Sequence, residues 1–176
     1  MNDARVPTFL YCFLLILGVL QGVGVYPQLP EVMASHFTGQ GAPNNWQPKP
    51  VFFLLMTLAV VASTIPAFIV PRLLPSLPAS KINLPNKTYW LAPERRDGTW
   101  QFFRAQMAWF GCALLFVLLY AAGQAINANL PTARHFDSQG MLYVMIGFLL
   151  FCILWVVHLV YHFRDVPASE SASQPK

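Results

Sequence analysis

Four polar side chains outside the apolar stretches could act together: Glu31, His36, His135 and Asp137. Two imidazoles and two carboxylates are donors that a zinc ion accepts. They fall in segments 27–50 and 127–140, which an even number of apolar stretches separates, so both segments lie on one face of a membrane. Neither segment has the internal spacing of a metal motif. The alternative is that both histidines are solvated, or hydrogen-bond within their own loops. A second pair, His158 and His162, lies four residues apart on one face of a helix, a spacing that can share a metal. Leu159 stands where a zinc protease would carry Glu, and paired haem ligands come from opposite helices, yet no third histidine lies in an apolar stretch. Anchoring at the membrane interface is the better reading of that pair. Ser35 precedes His36, but adjacency in sequence is not a nucleophile–base geometry. With no phosphate-binding glycine loop, no G-x-S-x-G elbow and no paired-cysteine motif, the chain offers no complete catalytic set. No cofactor is expected.

The elements that must position these residues are membrane helices. Of 176 residues, 56% are hydrophobic and only 10% are charged. No Asp, Glu, Lys or Arg falls between Arg5 and Glu31, Lys49 and Arg72, Arg104 and Arg134, or Asp137 and Arg164. Each gap suffices for the roughly 20 residues that cross a hydrocarbon core of about 30 Å. Backbone groups cannot go unpaired in lipid, so these stretches should be helices. The expected fold class is an all-α membrane protein, a four-transmembrane-helix bundle with structured polar loops. The helices should span 6–26, 51–70, 105–126 and 141–163. The first is read as a retained helix, because no small-x-small cleavage site follows it. The chain then divides into a first helix pair with its loop (1–71), a basic connection (72–104), a second helix pair (105–163) and a disordered tail (164–176).

Several residues inside the spans point to scaffold. Gly18 and Gly22 form a GxxxG, and Ala59, Ser63 and Ala67 repeat every four residues; such faces let helices approach closely. Pro66 should kink the second helix. Gln21 and Gln124 should lie at similar depth, where a hydrogen bond between them would contribute about 0.6 kcal/mol. Cys12, Cys112 and Cys152 all lie in apolar spans and read as small buried hydrophobes rather than a disulfide framework. No acidic or basic residue stands mid-membrane, which disfavours a charge-coupled pump.

Charge sets the orientation. Arg5, Arg72, Lys81, Lys87, Arg95, Arg96, Arg104, Arg164 and Lys176 fall on one side, against Lys49 and Arg134 on the other. The positive-inside rule then places both termini and the connection in the cytoplasm, and segments 27–50 and 127–140 outside. The net charge of +4 is explained this way, so nucleic acid is not expected as a partner. Within the connection, Tyr89-Trp90-Leu91-Ala92-Pro93-Glu94-Arg95-Arg96 leads into what reads as a short surface helix, with Trp100, Phe102 and Phe103 dipping into the interface.

The first loop reads Leu29-Pro30-Glu31, then His36-Phe37, Gly41-Ala42-Pro43, Trp46 and Lys49, directly before a membrane helix. This pattern resembles the bacterial membrane domain known as domain of unknown function 1648, and the resemblance runs from about Val25 to Pro71. The same domain occurs in SdpI-like proteins, which give immunity to a secreted toxin and relay its presence to a regulator. The chain is shorter than those proteins, and their separate C-terminal immunity region is not found in it. The resemblance therefore implies the shared domain rather than immunity itself. Read physically, the prolines and Gly41 make turns, Phe37 and Trp46 can pack at the membrane surface, and His36 and Lys49 face outward.

Three functions compete. The first is a non-enzymatic sensor or immunity-type protein of the bacterial inner membrane. It would bind an extracytoplasmic peptide or toxin through Glu31, His36, Phe37, Trp46 and Lys49, and a cytoplasmic regulator or membrane partner through Tyr89, Trp90, Glu94, Arg95 and Arg96. The second is an accessory subunit that uses the small-residue faces to stabilise another complex. The third is a metal-dependent enzyme built on Glu31, His36, His135 and Asp137. They rank in that order.

Overall fold

The computed structural model describes residues 3–132 and 135–166. Arg134 and the end of the expected tail lie outside the described residues. Six helices and one hairpin follow in order: α1 (Arg5–Val25), β1 (Val32–Phe37), β2 (Pro43–Pro48), α2 (Lys49–Thr64), α3 (Val70–Leu73), α4 (Lys87–Trp90), α5 (Pro93–Asn129) and α6 (Ser138–Arg164). Among the described residues, four helical stretches are long and apolar enough to cross a membrane: Arg5–Gln28, Lys49–Ser76, Pro93–Asn129 and Ser138–Arg164. The protein is a four-span helical membrane protein.

α5 is the central element. Its 37 residues span roughly 55 Å, well beyond the roughly 30 Å hydrocarbon core. The sequence suggested a short surface helix from Pro93 and a separate helix from residue 105. The structure joins the two without a break, because nothing between Pro93 and Asn129 interrupts the backbone ladder and Pro93 sits at the first turn, where its missing N–H costs nothing. Trp100 and Phe102 therefore do not dip into lipid. Each is only 5% exposed, buried within the protein.

α1 and α2 flank α5, and the close approaches use the small residues. A Cβ on Gly111 of α5 would collide with the Ala67 side chain. Ser63, one turn earlier, exchanges a hydrogen bond of 2.7 Å with the Tyr11 hydroxyl of α1. Tyr11, Ala67, Cys112 and Leu115 form one buried cluster, and the Cys112 thiol donates to the Pro7 carbonyl at 3.0 Å. Gly18 packs on Leu119. The small faces that an accessory subunit would offer a partner are largely spent inside the chain. Pro66 falls within a π-helical turn, Ile65–Ile69, where the ladder shifts register to absorb the missing donor. The expected amide pair does not form: Gln124 accepts from the Asp137 backbone N–H at 3.4 Å, while Gln21 lies against Gly123.

α6 packs differently. Its buried residues comprise Phe163 alone. It leans on α5 through Phe110 with Trp155 (ring centroids 5.1 Å apart) and through the Trp155 indole, which donates to the Gln106 carbonyl at 3.2 Å.

Candidate functional site: the hairpin and its seat

The loop between α1 and α2 is a two-stranded antiparallel hairpin. A 3-10 turn over Tyr26–Gln28, with Pro27 fixing φ, ends α1 and drops Leu29 into the interior. The strands pair Met33 with Gln47 and Ala34 with Trp46, and the register then slips so that His36 faces Asn45. At the tip, the Thr38 hydroxyl accepts from the N–H groups of Gln40 and Ala42 at 3.3 and 3.2 Å. Gly41 takes a φ of +82°, and a Cβ there would stand 2.5 Å from the Phe136 carbonyl oxygen. Only glycine meets both demands.

Lys49 closes the base. Its Nζ donates to the Leu29 carbonyl at 3.1 Å and to Glu31 Oε1 at 3.0 Å, and stands 4.7 Å from the centre of the Tyr26 ring. The backbone N–H of Lys49 also donates to the Glu31 carbonyl at 2.8 Å. The Lys49 side chain is 8% exposed, against 84% for Glu31. Lys49 thus does not face outward as a free polar group. It ties the exit of α1 to the entry of α2, because burial beside a carbonyl and a ring leaves its charge no other partners.

The hairpin rests on a seat. Leu29 and Met33 pack with Phe52, Ala125 and Ile126, and Phe37 adds to the edge of that cluster. Phe37 stacks on Phe136 with ring centroids 4.3 Å apart. Asn129, the last residue of α5, reads the β1 backbone as a third strand would. It accepts from the Ala34 N–H at 2.8 Å and donates to the Ala34 carbonyl at 2.9 Å. These two bonds cover the free edge of β1 at Ala34. On β2, the Asn45 side chain accepts from the Trp46 N–H at 2.8 Å, covering part of the other edge.

The residues singled out from sequence now separate. Phe37 and Lys49 belong to the seat and the base. Trp46 is 55% exposed, and Val32 and His36 are exposed with it. Ser35 Oγ lies 3.1 Å from His36 Nδ1, which orients the imidazole on the strand surface. Among the described residues no three of His, Cys, Asp and Glu come together to hold an ion, so Glu31, His36, His135 and Asp137 are not gathered into one cluster. Glu31 pairs with Lys49, and the Asp137 carboxylate caps α6 by accepting from the Gly140 N–H at 2.8 Å. Asn129 and Phe136 carry as much of the arrangement as the quoted motif, yet an Asn near a helix end and a lone Phe give no signal in sequence.

The opposite face is a clamp. Asn86, the one non-glycine residue with positive φ (49°) among those described, turns its amide onto the end of α6 and donates to the Phe163 and Arg164 carbonyls at 3.2 and 2.9 Å. The Trp90 indole donates to the same Phe163 carbonyl at 2.9 Å. His162 stacks on Phe102 at 3.8 Å and on Trp90 at 5.0 Å, so it packs between aromatic rings within the protein. Arg95 lies 4.0 Å from the centre of the Tyr89 ring, and Arg96 donates to the Pro75 carbonyl at 2.7 Å. Glu94 stays exposed. The aromatic and arginine side chains named here as partner contacts are thus largely occupied within the chain.

No curated protein and no solved structure matches the chain. One family match, described as a domain of unknown function, covers residues 13–60, which hold most of α1, the whole hairpin and the greater part of α2. With the four spans and the His36–Lys49 loop in place, the chain is a multi-pass membrane protein whose residues 13–60 match the domain of unknown function DUF1648.

Proposed function

We propose that the chain is a non-enzymatic receptor of a bacterial plasma membrane, its hairpin facing the extracytoplasmic side and its termini the cytoplasm. The hairpin binds a peptide or peptide toxin there. The observation that carries this reading is Trp46, a large aromatic held 55% exposed on a hairpin whose base is tied by Lys49 and whose other strand is held by Asn129. A rigid exposed aromatic loses little entropy on binding, which is why Trp dominates recognition surfaces. The orientation rests on the excess of Lys and Arg at the other face. The opposite face supports a partner site less well, since its rings are turned inward.

The test uses intact cells, in which an added peptide meets only outward-facing loops. Fluorescently tagged peptides fractionated from spent culture medium are screened against cells that express the chain or lack it. A fraction retained by the chain should lose about tenfold or more in affinity with Trp46→Ala, the range for a central aromatic contact. His36→Ala should weaken it less. Equal retention by all three proteins at equal surface level would count against the reading.

A further inference from the structure

We infer that the cleft between α1, α2 and α5 is a binding site for one acyl chain of a membrane phospholipid. This inference stands apart from the receptor reading. α1 and α2 both lean on α5, and between them a groove of about 560 Å³ remains. Its floor is Leu118, Leu119 and Ala122 of α5, and Val19, Phe53 and Met56 are among the side chains of its walls. All of these lie within stretches long and apolar enough to cross a membrane, so what fills the groove comes from the bilayer.

Two observations select a lipid chain over a second helix. The first is length. The α1 wall runs from Leu15 to Pro27, and twelve steps at about 1.5 Å make roughly 18 Å, close to half of a hydrocarbon core of about 30 Å. The groove is therefore about one leaflet deep. The second is the spending of the small residues. A partner helix needs glycine or alanine to approach closely. A Cβ on Gly18 would already meet Leu119 at 2.5 Å, and one on Gly22 would meet Phe53 at 3.5 Å. What the groove offers instead is mostly flexible, branched and aromatic surface, which moulds to a slender polymethylene chain. Thr57 adds no free donor, because its hydroxyl donates to the Phe53 carbonyl at 2.8 Å.

The site is joined to the hairpin. Phe52 and Ile126 line the groove and also form the cluster that holds Leu29 and Met33. Filling the groove therefore packs the seat from below.

The full chain is reconstituted in vesicles of phosphatidylethanolamine and phosphatidylglycerol doped with a phosphatidylcholine that carries a diazirine along one acyl chain. After photolysis, adducts are mapped by peptide mass spectrometry. α6 is the internal control, since its apolar residues are largely exposed and none of them lines this groove. Adducts on the groove segments of α1 and α2 should exceed those on α6 by about tenfold, the ratio for a site that holds its chain rather than exchanging it freely. Gly22→Leu and Thr57→Phe, which fill the groove from opposite walls, should each bring labelling down to the level of α6. Thr57 is exposed, so its variant folds even if that of Gly22 does not. Equal labelling of the groove and α6 in the unaltered protein would overturn the inference, as would unchanged groove labelling in Thr57→Phe. Disulfide-linked dimers of Val61→Cys in place of lipid adducts would assign the groove to a second copy and overturn it too.

Discussion

The two polar ends of this protein are built from similar residues and put to opposite uses. Each has a Trp, a His, a phenylalanine pair or stack and a basic side chain. At the end holding α4, Trp90 and His162 turn inward, with His162 stacked between Trp90 and Phe102 and both rings meeting Phe163 edge-on, closing α6 against α5. At the hairpin end, the basic residue and the phenylalanines turn inward, while Trp46 and His36 stay on the surface. The difference lies in what each end must hold. α6 buries only Phe163, so its attachment depends on the clamp as well as on its mid-helix contacts. The hairpin is held by backbone pairing, by Lys49 and by Asn129, so its remaining aromatic is not needed for folding. Aromatic residues free of a structural task are the ones available for recognition.

Three substitutions would break or sharpen this contrast. The largest effect is expected of Phe102→Ala. Phe102 is buried against His162 and Phe163, and removing such a ring costs about 3–5 kcal/mol. Thermal unfolding in detergent should fall sharply, and protease should reach the loop after α5 only to the extent that the whole chain loosens. An unchanged melting temperature would mean that α6 is held by its mid-helix contacts alone. Asn129→Leu comes next. It leaves the Ala34 N–H and carbonyl without their partner, at a cost of about 1–3 kcal/mol. Limited proteolysis should show faster cutting between Glu31 and Lys49, with cleavage near α4 unaffected. Cutting at both ends alike would show that the two ends are not independent. The smallest effect is expected of Trp46→Ala, within about 0.5 kcal/mol for an exposed site, although the same change should weaken peptide binding about tenfold or more. A large loss of stability would move Trp46 from the recognition surface to the scaffold.

How far the site was legible in sequence follows from the range of the forces. The Leu-Pro, His-aromatic, Gly-x-Pro and Lys pattern marked the loop, and it is where the hairpin forms. Lys49 was legible as important and misread in direction, because a Lys beside a loop ordinarily stays in water. Only the placement of Tyr26 and the Leu29 carbonyl around its ammonium makes the interior favourable. The carboxylates were legible as ligands and are instead a salt-bridge partner and a helix cap, since their neighbours within a few residues or across the hairpin reach them first. The sequence sets Gln21 and Gln124 at similar depth, but Gln124 accepts from the Asp137 backbone N–H instead.

What the sequence by itself determined is the number of spans and the asymmetry of charge about them. Transfer of a side chain into hydrocarbon is a local quantity, and it adds along the chain wherever the helix packs. The structure alone decided what meets what. Asn129 reaches Ala34 across a separation of 95 residues, and Trp90 reaches Phe163 across 73. No local property of either residue encodes that meeting. It arises because α5 is long enough to carry both ends, so that its last residue closes the hairpin and its first turns brace the clamp on α6.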